Sequence, residues 1–259
     1  MTPGMVAGQV ALVTASTSGI GLATAAAFAA AGAEAVILNG RNAERGALAV
    51  AHVRQAVPEA DVSFLVGDLT GLDAAGAVVQ GVLDRHGRID ALVHCGGAQV
   101  APDLFVRTDP ADYRALVDGY FTAILNCCHW VVPAMAAQGQ GTITVVASDA
   151  GKIATPGEAV IGALKAAAIM FVRTLALEVG RNGVRVNCIS PSLVAETRSY
   201  ERIMSGPFSA KVFEKAIRKA RLGLPTPADI APMAVFLASP QAAKITGQAI
   251  SINGGISAA

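Results

Sequence analysis

Short apolar segments alternate along the chain with longer segments rich in alanine. The apolar segments are continuous, as in strands of a sheet that is covered on both faces. They lie at residues 10–15, 35–40, 62–67, 91–96, 142–147, 184–190 and 249–252. The segments between them, such as 21–31 and 158–180, have the residue spacing of helices. This alternation predicts an α/β fold of the Rossmann type, with a doubly wound parallel sheet of about seven strands flanked by helices.

No linker rich in proline, serine or charge interrupts the alternation. The chain of 259 residues is therefore expected to form a single domain over residues 1–259. The segment at 195–221 has the pattern of a helix, a turn and a second helix. We expect this segment to form a small helical lid over the substrate site.

Composition excludes several classes of function. Twenty basic and 19 acidic residues give a formal charge of +1 and no basic stripe, which argues against nucleic-acid binding. Residues 119–148 carry no lysine, arginine or acidic residue, but Pro133 and the polar run at 138–141 interrupt them, which argues against a membrane span. The four cysteines have no metal-ligand spacing, so we expect no metal site and a reducing, cytoplasmic location.

A glycine-containing turn follows the first predicted strand. Residues 14–21 read TASTSGIG and lead directly into a helix. Glycine allows the backbone to approach a pyrophosphate, and a helix N-terminus offers free N–H groups and a partial positive charge. The turn therefore predicts a dinucleotide site that includes Thr14, Ser16, Gly19, Ile20 and Gly21.

The end of the second predicted strand bears on the choice of dinucleotide. An acid at this point usually binds the ribose diol of NAD, but the chain has Asn39, Gly40 and Arg41. The guanidinium of Arg41 has the geometry to pair with a 2′-phosphate, and the alternative is a solvated arginine that opens a surface helix. If a dinucleotide binds, the sequence favours NADP(H).

These motifs resemble those of the short-chain dehydrogenase/reductase family over about residues 8–255. The segment RLGLP at 221–225 and the segment ITGQ at 245–248 carry the most specific part of the resemblance. The family's glycine pattern is TGxxxGxG, and here its first glycine is replaced by Ala15. Near the end of the chain, Asn253 stands where the family usually has aspartate.

The resemblance also implies cofactor contacts further along the chain. Asp68 occupies the position of the acid that contacts the adenine amino group. At the fourth strand the family usually has Asn-Asn-Ala-Gly, whereas this chain has His94, Cys95, Gly96 and Gly97. Only Gly97 is retained. We interpret His94 and Cys95 as packing residues, because adjacent residues on a strand face opposite sides of the sheet.

The resemblance implies four catalytic positions, of which two are changed. In the family a tyrosine moves the proton, a serine holds the reacting oxygen, a lysine lowers the tyrosine pKa and contacts the nicotinamide ribose, and an asparagine anchors a relay water. Ser148 and Lys165 match the serine and the lysine. The tyrosine position is Ile161, and the asparagine position is Tyr120.

Three functions remain open at this point. The favoured one is a catalytically impaired subunit of a hetero-oligomeric NAD(P)-dependent hydroxyacyl or ketoacyl dehydrogenase, which supports an intact relative that acts on an acyl-CoA substrate. The second is a self-sufficient NADP(H)-dependent alcohol dehydrogenase or ketoreductase in which Tyr120 replaces the missing tyrosine. The third is non-redox chemistry or nucleotide sensing, with Glu196, Ser148 and Lys165 as an acid–base set.

The family resemblance also implies an association surface. Helices at 113–135 and 158–180 usually form a dimer interface of four helices. Residues 159–177 are apolar around most of the helix circumference, which suits a covered surface; the alternative is that these helices simply pack on the sheet. We therefore expect a homo- or hetero-oligomer.

Overall fold

The computed structural model describes residues 4–97 and 100–258. The ends of the predicted domain, residues 1–3 and 259, lie outside the described residues. Seven strands form one parallel sheet in the order β3-β2-β1-β4-β5-β6-β7. The strands are β1 Val10–Thr14, β2 Ala35–Gly40, β3 Asp61–Val66, β4 Ala91–His94, β5 Gly141–Val146, β6 Val184–Pro191 and β7 Ala249–Ile252. The predicted α/β fold of the Rossmann type is confirmed.

Helices connect these strands in the described part of the chain. They are α1 Gly19–Ala30, α2 Ala43–Ala56, α3 Leu72–His86, α4 Ala111–Leu116, α5 Ala123–Gln138, α6 Ala159–Val179, α7 Arg198–Ser205, α8 Pro207–Ile217 and α9 Pro227–Ala238. A π-helix at Val117–Thr122 joins α4 to α5 without a break. The segment 195–221, expected to be helix–turn–helix, contains α7 and α8.

The central strands of the sheet are buried on both faces, which explains why they are continuously apolar. All five residues of β1 are buried. One hydrophobic cluster includes Val131 of α5 and Val172 of α6, and the other includes Phe28 of α1 and Val235 of α9. The helices thus form two layers that enclose the sheet.

The strand boundaries match the sequence prediction to within one residue, except at β4. That strand ends at His94, whereas the apolar segment continued to Gly96. His94, Cys95, Gly96 and Gly97 all line the cavity described below. The residues after His94 thus leave the sheet because they form part of the wall of a binding site.

Candidate active site

A cavity of about 1080 Å³ opens along one edge of the sheet. Residues that follow β1, β2, β4, β5 and β6 line it, and α7 and α8 cover one side. These residues lie at the carboxyl ends of parallel strands. The strand order reverses between β1 and β4, and sheets of this type bind ligands at such a reversal.

The glycine turn lies at one end of the cavity. Gly19, Ile20 and Gly21 line it, and Gly19 has a left-handed φ of +54°. A Cβ on Gly21 would lie 2.6 Å from the Ala15 carbonyl oxygen and 2.7 Å from the Ser16 Cα, so only glycine fits there. Within the described residues, the N-cap Ser18 makes no side-chain cap to α1. The first N–H groups of the helix thus stay available to an anion, and this turn fits the pyrophosphate of a dinucleotide.

Two residues predicted to bind the cofactor hold the turn in place. Thr14 and Ser16 are fully buried and are not among the described residues that line the cavity. The Thr14 hydroxyl lies 2.9 Å from His94 Nδ1. Ser16 Oγ donates to the Val13 carbonyl at 2.7 Å and accepts from the Asn39 N–H at 3.0 Å. These bonds point both side chains into the sheet and away from the cavity, and the contact of Thr14 and Ser16 with a cofactor stays a prediction.

Arg41 follows β2, Arg45 lies in the first turn of α2, and neither β2 nor residues 41–45 contribute an acid to the cavity wall. A Cβ on Gly40 would lie 3.0 Å from Thr17 Cγ2, so the space for a longer side chain is small. Arg41 lines the cavity and pairs with Asp68, with 3.8 Å between its Nη1 and the Asp68 Oδ2. Arg45, which the sequence reasoning missed, donates from Nη2 to the Ser18 hydroxyl at 3.4 Å. Its spacing of four residues from Arg41, at the start of a helix, was the available signal.

His94 is buried at the end of β4, Cys95 follows it, and neither has a reactive ionised form. Burial lowers the pKa of His94 to about 3, and the positive charge of Lys165 adds to that effect. Burial raises the pKa of the Cys95 thiol to about 12. His94 therefore stays neutral and Cys95 stays protonated, so they cannot form a thiolate–imidazolium pair. The described residues hold no cluster of three or more metal-ligating side chains.

Ser148, Ile161 and Lys165 line the other end of the cavity. Ser148 lies after β5, and its hydroxyl accepts from the Ala150 N–H at 3.2 Å. Lys165 is only 7% exposed, and burial lowers its pKa to about 7 against the opposing effect of the Glu158 carboxylate. Ile161 stands at the tyrosine position with a side chain that can neither donate nor accept a proton.

The structure does not support Tyr120 as the replacement for that tyrosine. The side chain lies in the π-helix, is 1% exposed, and is not among the described residues that line the cavity. Its hydroxyl donates to the Val146 carbonyl of β5 at 3.3 Å, and the Lys165 Nζ lies 3.5 Å from the ring centroid. Burial raises its pKa well above the ordinary value. Tyr120 thus supports Lys165 from below through a cation–π contact.

Glu158 is the group at this end that sequence reasoning missed. It precedes α6 directly, is half-buried, and lines the cavity together with Ile161 and Lys165. Glu196, which was considered as an acid, is exposed, has a left-handed φ of +59°, and does not line the cavity. The signal for Glu158 was its position three residues before the vacated tyrosine, on the same helix face.

A buried carboxylate fastens the serine turn to the strand at the edge of the sheet. Asp149 follows Ser148 and is 5% exposed. It accepts hydrogen bonds from the Ser257 hydroxyl at 2.7 Å, the Ser251 hydroxyl at 3.1 Å and the Asn253 amide. The amide of Asn253 supplies a donor where the family's usual aspartate would place a second negative charge. The change from acid to amide at Asn253 thus matches the acid at Asp149.

Comparisons with known proteins agree with this geometry. The family described as enoyl-(acyl carrier protein) reductase matches residues 14–257. The 3-oxoacyl-[acyl-carrier-protein] reductase FabG of Thermotoga maritima is 32% identical over 255 residues, with 96% of this chain and 98% of that protein covered. An A-factor type gamma-butyrolactone 1'-reductase of Streptomyces virginiae is 31% identical, with 97% of this chain and 96% of that protein covered.

Solved structures show the same fold with nicotinamide dinucleotides bound. A 7 alpha-hydroxysteroid dehydrogenase complexed with NADH and 7-oxo glycochenodeoxycholic acid gives a TM-score of 0.88 at 27% identity, over 97% of this chain and 96% of that one. A gluconate 5-dehydrogenase from Burkholderia cenocepacia in complex with NADP and tartrate gives 0.87 at 26% identity, over 96% and 95%. The fold, the cavity and the relatives together show that this chain belongs to the short-chain dehydrogenase/reductase family of oxidoreductases.

Proposed function

We propose that this chain is an NADP(H)-dependent oxidoreductase that reduces the ketone of a 3-oxoacyl thioester or a similar anionic carbonyl compound. One observation carries the proposal. A single cavity joins the glycine turn and Arg41 at one end to Ser148 and Lys165 at the other. That arrangement suits a dinucleotide that lies across the switch point with its nicotinamide beside the serine and the lysine.

The preference for NADP(H) over NAD(H) rests on the end of β2. Gly40 offers no carboxylate to a ribose diol, while Arg41 and Arg45 place two cations along the same wall. The turn at Gly19–Gly21 would hold the pyrophosphate, Asp68 and Gly97 would contact the adenosine half, and Lys165 would contact the nicotinamide ribose. When bound, the reduced dinucleotide supplies a hydride to the carbonyl carbon.

Ser148 and Lys165 prepare the carbonyl for reduction. The Ser148 hydroxyl is placed to donate a hydrogen bond to the carbonyl oxygen, where negative charge develops as the carbon is reduced. Lys165, in its protonated state, adds a positive charge at the same end of the cavity. Neither role supplies the proton that the alcohol product needs, because the tyrosine position is Ile161.

The substrate class rests on the charge of the lid. Five basic side chains of the lid segment line the cavity, namely Arg198, Arg202, Lys211, Lys215 and Lys219. The lid's acids, Glu196, Glu201 and Glu214, are not among the residues that line it. A wall with one sign of charge attracts ligands of the opposite sign. The phosphates of an acyl carrier or of coenzyme A fit that wall, in keeping with the acyl-carrier substrates in the relatives' names.

A second candidate function is the impaired subunit of a hetero-oligomeric dehydrogenase, which Ile161 favours. Helices α5 and α6 expose large apolar side chains, among them Trp130, Met170 and Leu177, and such a surface suits association with a second family member or a second copy. The described structure leaves all four cysteines as free thiols, in keeping with a cytoplasmic oligomer.

A binding and turnover experiment tests the proposed function. We expect the purified chain to bind NADPH more tightly than NADH by calorimetry, and to oxidise NADPH when acetoacetyl-CoA is added. NADPH binding without oxidation, together with isolation from its own organism in a complex with a relative that retains the tyrosine, would favour the impaired subunit. Failure to bind either dinucleotide would overturn the proposed reductase and leave the impaired subunit as the remaining candidate.

A further inference from the structure

We propose that Glu158 is the general acid–base of this active site, in place of the phenol that the family uses. The inference rests on the proposed function, because it requires a carbonyl oxygen to receive the proton. The strongest observation is positional. Glu158, Ile161 and Lys165 line one cavity and stand at positions i, i+3 and i+7 of one helix face.

The Glu158 side chain has no structural duty in the helix that it precedes. An N-cap side chain normally accepts a hydrogen bond from the first turn of its helix. Glu158 occupies the N-cap position of α6, yet within the described structure its carboxyl makes no cap bond. The Thr155 hydroxyl, which donates to the Ile153 carbonyl at 3.3 Å, is close enough to the carboxyl to lower its pKa. The carboxyl thus lies at the cavity wall and is not used to cap the helix.

The electrostatic surroundings suit proton transfer near neutral pH. Burial raises the pKa of Glu158 to about 7, while the Lys165 charge and the Thr155 hydroxyl oppose that rise. Lys165 is the cation on the same helix, His94 of β4 is neutral, and the lid contributes Arg202 and Lys211 from α7 and α8. An acid with a pKa close to the working pH is the most effective proton donor.

The proposed step balances in atoms and electrons, with NADPH as the reductant. As the carbonyl carbon is reduced, the electron pair of the C=O π bond moves to the oxygen, which Ser148 holds. The O–H bond of the Glu158 carboxyl breaks, and its proton forms the O–H bond of the alcohol. The resulting carboxylate regains a proton from water at the open side of the cavity. In the oxidative direction the same carboxylate removes the alcohol proton.

The test compares Glu158→Gln with Glu214→Gln, a matched change at an exposed acid of α8 that does not line the cavity. With NADPH and acetoacetyl-CoA at pH 7, Glu158→Gln is expected to lower kcat about 10²- to 10⁴-fold, the usual loss for a positioned acid. Glu214→Gln is expected to leave kcat unchanged. In the Glu158→Gln background, the added change Ile161→Tyr is expected to restore activity, because it returns a phenol to the family position beside Lys165.

A spectroscopic titration gives a readout that does not depend on turnover. With ¹³C-labelled glutamate carboxyls, the signal that Glu158→Gln removes is expected to titrate near pH 7, above the range of an exposed glutamate. The acid form is the donor in reduction, so the wild-type reductive rate is expected to fall as pH rises through that titration. Glu158→Gln is expected to lose the part of this fall that Glu158 causes and to keep the part caused by Lys165, whose pKa is also about 7.

The outcomes separate this inference from the proposed function. Wild-type turnover that Glu158→Gln leaves intact would overturn the role of Glu158 and keep the proposed function. A Glu158 carboxyl fully ionised at pH 6 would do the same. NADPH binding without turnover of acetoacetyl-CoA or of the uncharged ketone ethyl acetoacetate would overturn both. Glu158→Gln that still binds NADPH and unfolds at the wild-type urea midpoint, yet has lost turnover, would support the inference.

Discussion

The two ends of the cavity are built by different means. At the dinucleotide end, the shape comes from the backbone, with Gly19 and Gly21 at positions where a side chain is strained or does not fit. At the reaction end, the chemistry comes from side chains, and two of the four family identities have changed, at Ile161 and Tyr120. Ser148 and Lys165 remain and still line the cavity.

The difference shows which features a fold constrains and which it leaves open. The backbone of the glycine turn belongs both to the site and to the strand and helix that it connects. A substitution that moves this backbone therefore disturbs the fold as well as the site. A catalytic side chain at the cavity wall makes fewer contacts that the fold depends on. Its role passes to another side chain on the same helix face if that side chain is ionisable and the neighbouring cation is kept.

Gly21→Ala is the sharpest test of the dinucleotide end. Its new Cβ would meet backbone atoms at 2.6 and 2.7 Å, so the turn must move. We expect NADPH affinity to fall by about 100-fold or more, since displacements near 1 Å have such effects, and the free energy of unfolding to fall by about 1–3 kcal/mol. Calorimetry and urea unfolding measure the two. Gly180→Ala, where a Cβ meets nothing within 4 Å, is the control and should change neither.

Removing the two arginines next to β2 tests which dinucleotide this end prefers. We expect the double change Arg41→Ala with Arg45→Ala to weaken NADPH binding about 10- to 100-fold, as expected for charged hydrogen bonds to a phosphate. NADH binding should change little, because NADH lacks the 2′-phosphate. An equal loss of affinity for NADPH and NADH in a titration would show that these arginines shape the site but do not bind the 2′-phosphate.

The smallest effect is expected at the lid. Lys211 and Lys215 are exposed, and a screened surface charge contributes at most about 1 kcal/mol, or about fivefold. Lys211→Ala with Lys215→Ala should raise KM for acetoacetyl-CoA by a few-fold per charge at low salt, and less at high salt. The KM for ethyl acetoacetate serves as the internal control. A rise in KM of equal size for this uncharged ketone would show that the lid lysines do not act through the charge of the substrate.

Sequence patterns predicted the fold almost completely, because strands buried on both faces carry a signal in every residue. They also predicted which backbone segments reach the cavity, since Gly19–Gly21, Arg41, Asp68, Gly97, Ser148 and Lys165 all line it. They did not predict side-chain direction. Thr14 and Ser16 point into the sheet, because local hydrogen bonds hold them there.

Tyr120 and Glu158 show why the reaction end was harder to predict. Tyr120 lies in a π-helix, which has more residues per turn than an α-helix. The direction of its side chain therefore cannot be predicted from regular α-helical spacing. Glu158 is the N-cap residue of α6. The sequence indicates that a helix begins there, but it does not indicate whether the carboxyl caps the helix or faces a cavity. The preference for an impaired subunit followed from the combined loss of several family identities, among them those at Ile161 and Tyr120, and the proposed role of Glu158 answers the loss at Ile161.

The hydrogen bonds of Asp149 bear on when the site is completed during synthesis. The carboxylate lies beside Ser148, but one of its partners, Ser251, is made 102 residues later, and Asn253 and Ser257 later still. A nascent chain therefore carries the glycine turn and Ser148 long before it carries these three hydrogen-bond donors, whereas the cationic partner of Asp149, Lys152, follows it by three residues. The glycine turn is encoded early in translation, whereas the serine turn acquires these hydrogen-bond partners only when residues 251–257 have left the ribosome.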